Sequence, residues 1–246
     1  MNLSLAARFL ARAAREFVPG DWVFTGFHWP VLAAMAAWRL HGQEVHVIFE
    51  AGGAIDLPPS PVPTSTTDYP TYVEGSAWLG SADETLLALP RRYARVVLDA
   101  TNVDLAGGVN STAVGPYQRP KARLAGGGGA HDAVVGAREV VLLHGREELT
   151  RIVRVVDNVT ARPGPGTRCR LITPWAVMRL GSEPSVEEWL DPSPPSGVRE
   201  HLEGLGVGTD DDQVTHLQDH EIEVAEGVLH EAAERGYAVA RAALRR

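Results

Sequence analysis

Between residues 21 and 49 a short apolar segment, DWVFTG, leads into a helical stretch, PVLAAMAAWRLHG, and then into a second short apolar segment, EVHVIF. Gly26 stops the first. Pro30 suits a first helical turn, where its missing N–H would have been unpaired anyway, and Gly42 stands just past the helical stretch. This is a β-α-β unit, and such a unit predicts a parallel sheet. In open α/β sheets ligands collect just beyond the carboxyl ends of the strands. Further strands are expected at ARVVLDA, EVVLLH, TRIVRVV, CRLIT and WAVMRL, and helices at VREHLEGLG and over EIEVAEGVLHEAAERGYAVARAALRR. The N-terminal LSLAARFLARAAREF places Ala6, Phe9, Leu10, Ala13 and Phe17 on one helical face and Arg8, Arg12 and Arg15 opposite. The expected architecture is α/β, an open, mostly parallel sheet flanked by helices.

The segment 57–70, LPPSPVPTSTTDYP, carries five prolines and extends neither neighbour, so it reads as an irregular excursion, either a lid or a connection. No internal repeat and no long linker divides the chain, and 246 residues at 44% apolar composition are enough for one core, so residues 1–246 are expected to form a single domain. With 31 acidic against 23 basic side chains the formal charge is −8, which does not favour nucleic acid or anionic lipid and leaves small molecules or proteins as the expected ligands. The sole cysteine, Cys169, precludes an internal disulfide, and with no signal-peptide pattern the expected compartment is the cytoplasm. No stretch reaches the roughly 18 apolar residues of a membrane helix.

Two features concern chemistry. The strand-like VHVIF runs into Glu50, which sets a carboxylate at the end of a buried strand, where ionised groups are costly. LAGGGGAHD places Gly126, Gly127, Gly128 and Gly129 in one run, whose exposed N–H groups suit an anion or a developing oxyanion. Each has an ordinary reading as well: a solvated strand end or helix cap for the glutamate, a flexible loop for the glycines.

Taken in order, these motifs resemble the β subunits of class I CoA-transferases, specifically the glutaconate CoA-transferase type. Glu50-Ala51-Gly52 is similar to a strand-terminal Glu-Ser-Gly. VDLAGGVNSTAVGPYQRPKARLAGGGGAHD resembles a long block of that family, with Asp104, Asn110, Ser111, Thr112, Gly115, Pro120, Arg123 and the glycine loop at matching positions. PSPPSGVREHLEGLGV looks like its segment of prolines and a valine before a short helix, so the likeness runs over residues 20–210.

The resemblance implies that Glu50 is a nucleophile that attacks an acyl-CoA thioester and passes through a mixed anhydride to a glutamyl-CoA thioester. It implies that a backbone N–H at Gly128 or Gly129 faces that carboxylate, and that Gly26, His28, Trp29, Asn110, Ser111, Gly127 and Ala130 belong to the substrate pocket. CoA is then a substrate carrier, no cofactor is held permanently, and an α-type subunit completes the enzyme. The chain departs from the family pattern at Asp99-Ala100-Thr101-Asn102, where Gly-Gly-Ala-Gln is common, at Ala106-Gly107-Gly108, where Tyr-Gly-Asn is common, and at GFHWP, where a Gly-Leu-Pro turn is usual. His28 and Trp29 are therefore expected either to select the acyl group or, respectively, to be solvated and to pack under the helix. Other reactions on this fold remain open: decarboxylation, with cysteine replacing the glutamate in some relatives, hydrolytic carbon–carbon cleavage, or noncatalytic acyl-CoA binding. His201, His216, His220 and His230 near Asp210, Asp211, Asp212 and Asp219 lack metal-ligand spacing, so no metal is expected, and Cys169 reads as a packing residue.

Overall fold

The computed structural model describes residues 1–88, 93–210 and 213–245. Seven α-helices lie among them: α1 (Leu3–Ala14), α2 (Trp29–His41), α3 (Tyr69–Tyr72), α4 (Ala130–Val135), α5 (Ser196–Leu205), α6 (Asp219–Glu234) and α7 (Ala238–Leu244). The main sheet contains β1 (Trp22–Thr25), β2 (His46–Phe49), β3 (Gly53–Ile55), β4 (Ser76–Leu79), β5 (Arg95–Asp99), β9 (Glu139–Leu143), β11 (Arg168–Ile172), β12 (Ala176–Leu180) and β13 (Ser185–Trp189). Four two-residue strands, β6 (Val103–Asp104), β7 (Ala113–Val114), β8 (Ala122–Arg123) and β10 (Ile152–Val153), form small pairs outside it.

The sheet order is β13-β12-β11-β9-β5-β1-β2-β3-β4. The five central strands, β11 to β2, are parallel, whereas both edges are antiparallel hairpins. The parallel centre agrees with the β-α-β reading, and the edges make the sheet mixed. The strands β3, β4 and β13 had no clear signal: β3 is three residues beginning at Gly53, and β13 carries Glu187 and Glu188. TRIVRVV, expected as a strand, instead forms a 3₁₀ turn at Leu149–Arg151 followed by β10 alone. Its apolar run had the composition of a core strand, but the place beside β9 is filled by β11.

Alternation assigns the two faces. Val23, Val47, Phe49, Val97, Val141 and Leu143 point to one core with α1, α2, α6 and α7, while Phe24, Ile48, Val96, Leu98, Val140 and Leu142 point to the other with α4 and α5. Burial on both faces explains why the central strands read as continuous apolar runs. The C-terminal helical stretch is broken at 235–237, where Gly236 takes a φ of +102° between α6 and α7. The proline-rich excursion is strapped down: Val62 N–H donates to Glu231 Oε1 at 2.7 Å, and Tyr237 O–H donates to the Pro63 carbonyl at 2.6 Å. These bonds favour the connection reading over the lid.

Arg8, Arg12 and Arg15 do not form a simple solvent face. Arg8 donates to the Leu190 carbonyl, Arg15 binds Glu221, and Arg12, 6% exposed, is paired with Glu16 and Glu188. Among the described residues no helix is long and apolar enough to cross a membrane, and no group of three potential metal-ligating side chains comes together. Asp211 and Asp212, named above, lie outside the described residues. Cys169 is buried, and burial pushes its thiol up to about 12, so it is an inert packing residue at neutral pH.

Candidate active site

Glu50 follows the last residue of β2, next to the carboxyl end of β1. The chain turns at once, with Gly52 N–H donating to the Phe49 carbonyl at 3.1 Å. Gly52 has a φ of +106°, and a Cβ there would lie 2.0 Å from the Gly80 carbonyl oxygen, so the turn depends on glycine. Thr85 Oγ1 lies 2.9 Å from the Glu50 carbonyl oxygen and donates to it. Glu50 is thus fixed through its main chain, leaving its half-buried carboxylate to face the glycine loop.

There the Gly129 N–H donates to Glu50 Oε2 at 3.3 Å. Gly128, with a φ of +51°, brings its Cα so close that a Cβ would meet Glu50 Oε2 at 3.4 Å. Gly127 is constrained differently, because a Cβ there would fall 2.5 Å from Thr160 Cγ2. Thr160 is not free to yield. Its Oγ1 accepts from Ser111 N–H at 2.8 Å and lies 2.6 Å from Thr112 Oγ1. The glycine run is therefore a fitted loop between Glu50 and Thr160.

A cavity of about 460 Å³ opens beside Glu50, within the size range of small-molecule sites. Gly26, His28, Asn110, Ser111, Gly127, Gly128 and Ala130, all expected at the pocket, line it together with Glu50. Gly129 reaches the site through its N–H to Glu50. Asn110 contributes structure more than a free amide: its Oδ1 accepts from Thr112 and Ala113 N–H, and its Nδ2 donates to the Ala113 carbonyl at 2.8 Å. Trp29 is not in this lining. It is 3% exposed and meets Phe9 edge-on, with ring centroids 5.1 Å apart. The acyl-selecting alternative for Trp29 gives way to packing.

Three contributors were not picked out from sequence. Thr85 and Thr160 act through local hydrogen bonds that carry no motif, and Arg146 reaches the cavity from the segment after β9. A larger cavity, about 600 Å³, lies at the opposite strand ends and is lined by Arg95, Glu139, Arg168 and Arg170. Those charges pair with one another, so that cavity belongs to a structural ion network.

Residues 7–161 match the Coenzyme A transferase family. The chain belongs to that family. It is 30% identical over 173 residues to the β-type subunit of glutaconate CoA-transferase of Acidaminococcus fermentans, a stretch covering 67% of this chain and 64% of that relative. The match thus spans less than two thirds of the relative. Among solved structures, the decarboxylase AibA/AibB superposes with a TM-score of 0.80 at 22% identity, covering 98% of this chain and 99% of that one. Glutaconate CoA-transferase from Acidaminococcus fermentans gives 0.75 at 19% identity, covering 96% and 97%. At such identities these superpositions establish the shared fold. Within that CoA-transferase fold, Glu50 and the glycine loop meet at the carboxyl end of the parallel strands.

Proposed function

We propose that this chain is the glutamate-bearing subunit of a two-subunit CoA-transferase, moving CoA from an acyl-CoA to a carboxylic acid. The observation that carries the reading is Glu50 at the end of β2, its carboxylate against the Gly129 N–H and beside a cavity. The carboxylate attacks the thioester carbonyl, the carbon–sulfur bond breaks, and CoA leaves as thiolate from a mixed anhydride. The thiolate then attacks the glutamyl carbonyl, releasing the first acid and leaving CoA on Glu50 as a thioester. The acceptor carboxylate runs the same steps in reverse. A carboxylate is a weak nucleophile, so preoriented N–H donors for the oxyanion matter; removing one such donor in other enzymes costs about 3–4 kcal/mol.

A second chain is part of the reading. The Acidaminococcus fermentans relative is itself one subunit of its enzyme, and the decarboxylase AibA/AibB is named as a pair of chains. On this chain Trp78 and Leu79 of the edge strand β4, and Leu87 after it, are 37%, 43% and 72% exposed. This apolar surface adjoins the Glu50 turn through the Gly52–Gly80 contact and suits a partner. CoA is the substrate carrier and is not permanently held, and a soluble cytoplasmic setting fits the reading.

The test is covalent. The complex of this chain with its α-type partner, mixed with acyl-CoA donors alone, is expected to accumulate a CoA adduct on this subunit, mapped to Glu50 and trapped by borohydride. Glu50→Gln should lose both adduct and turnover. Full-rate consumption of acyl-CoA with release of CO₂ or free CoA and no adduct would overturn the transferase reading in favour of another reaction on the thioester.

A further inference from the structure

Two of the places where this chain departs from the family pattern, 71 residues apart, meet at the cavity: His28 Nδ1 lies 3.1 Å from Asp99 Oδ2. They stand just beyond the carboxyl end of β1 and at that of β5, neighbouring parallel strands. From β1 the chain advances to β2 on one side and returns with β5 on the other, so the pair spans the switch point where open α/β sheets hold ligands. Both residues line the cavity that contains Glu50, with Arg146 the other charged side chain in its lining.

The pair is held at a cost. His28 has φ +63° and ψ −116°, and it is the only non-glycine residue with positive φ among the described residues. Such a conformation costs roughly 1–3 kcal/mol and concentrates at functional sites. No side-chain capping bond at the start of α2 accounts for it. Asp99 fixes the ring from one edge and Phe27 lies against its face, with ring centroids 4.0 Å apart. With Nδ1 donating to the Asp99 carboxylate, Nε2 is the ring atom left to a molecule in the cavity.

CoA transfer exchanges acyl–oxygen and acyl–sulfur bonds and moves no proton at carbon, so a histidine–aspartate pair is surplus to it. We infer that His28, oriented by Asp99, is a general base for the carbon next to the thioester carbonyl, so that the site also enolises its acyl-CoA. The inference rests on the reading that the cavity takes an acyl-CoA. His28 Nε2 takes the α-proton, the C–H electron pair becomes the enolate double bond, and the carbonyl π pair moves onto oxygen. Asp99 stabilises the imidazolium, which returns a proton to the same carbon. Nothing is oxidised or reduced. The substrate class is an acyl-CoA bearing an α-hydrogen, especially one acidified by an adjacent π system.

The experiment uses the complex with its partner subunit in D₂O, carrying Glu50→Gln to stop transfer, with phenylacetyl-CoA and butyryl-CoA as probes. Proton NMR and mass spectrometry follow α-deuteration. The expected result is exchange well above the enzyme-free rate with at least phenylacetyl-CoA. Adding His28→Gly, which also relieves the positive φ and so spares folding, should slow exchange about a hundredfold or more, within the range for a lost general base. Added imidazole should restore part of the rate, and Asp99→Asn should lower it while leaving His28 in place. No exchange with either thioester in wild-type and Glu50→Gln complexes, or exchange unaltered by His28→Gly, overturns the inference. An adduct on Glu50 without exchange would sink this inference alone. Exchange without an adduct would sink the transferase reading alone.

Discussion

His28 and Trp29 are consecutive, yet one lines the cavity and the other lies in the core. The positive φ at His28 turns the chain between β1 and α2, leaving its imidazole 46% exposed while Trp29 is 3% exposed against Phe9. Gly145 is part of the same arrangement, since a Cβ there would lie 2.1 Å from Trp29 Nε1. Trp29→Leu should therefore lower stability and leave selectivity alone. Truncating a buried tryptophan to leucine is expected to cost about 2–4 kcal/mol, near the lower end of large-to-small core changes. In a chain of this size that corresponds to a melting point lowered by roughly 5–15 °C. Scanning calorimetry and a panel of acyl-CoA thioesters check this together: relative turnover shifted between substrates at an unchanged melting point would contradict the packing role.

At the scale of elements, α2 explains why a helix can carry so little amphipathic signal. All ten residues from Trp29 to Trp38 are buried, because the helix lies between the sheet and the helices α1 and α6. Its interior alternates large and small side chains, and Ala33, Ala34, Ala36 and Ala37 have no exposed surface. Alanines at such positions let neighbouring backbones approach. Leucine is nearly as good a helix former as alanine, so Ala36→Leu isolates the packing effect from propensity. It should destabilise by about 1–3 kcal/mol through overpacking. Urea titration is expected to show a lower midpoint with unchanged slope; an equal or higher midpoint would mean that space exists beside α2.

Across the whole molecule, chemistry and structural charge are separated to opposite ends of the strands. Glu50, His28 and Asp99 lie at the carboxyl ends, whereas Arg95, Glu139 and Arg168 begin β5, β9 and β11 and join Arg170, Glu16, Arg12 and Glu188 in one network. Burial works to raise the Glu139 carboxyl, but Arg95, Arg170 and Arg168 outweigh it and hold it below its ordinary 4.5. Glu188 behaves likewise, burial being outweighed by Arg12 and Thr215. A carboxyl with a depressed folded-state pKa contributes stability that is complete above the unfolded value and is lost as pH falls through the folded one. The protein should therefore lose stability steeply below pH 4.5. Glu139→Gln should cost about 2–4 kcal/mol at neutral pH, somewhat under the figure for a fully enclosed pair because its cavity opens to solvent. The variant should also show a flatter acid limb in melting point against pH. An acid limb parallel to that of the wild type would assign the acid sensitivity elsewhere.

The β-α-β unit at residues 21–49 was legible without coordinates because its signals are local: strand-like runs, Pro30 at a helix start, Gly26 and Gly42 as stops. The parallel centre of the sheet and the family resemblance through Glu50 and the glycine block were legible for the same reason. The hairpin edges were not, since β3 and β4 are joined across the proline-rich excursion and owe their pairing to the strands beside them. Arg12 read as part of a polar helix face, and only the approach of Glu188 from β13 made it a buried partner. The sequence alone determined the α/β class and which carboxylate stands at a strand end. Tertiary structure decided that Gly129 meets Glu50 across 79 residues and His28 meets Asp99 across 71, because chain pattern carries local conformation whereas such contacts are created when distant strands take neighbouring places in one sheet.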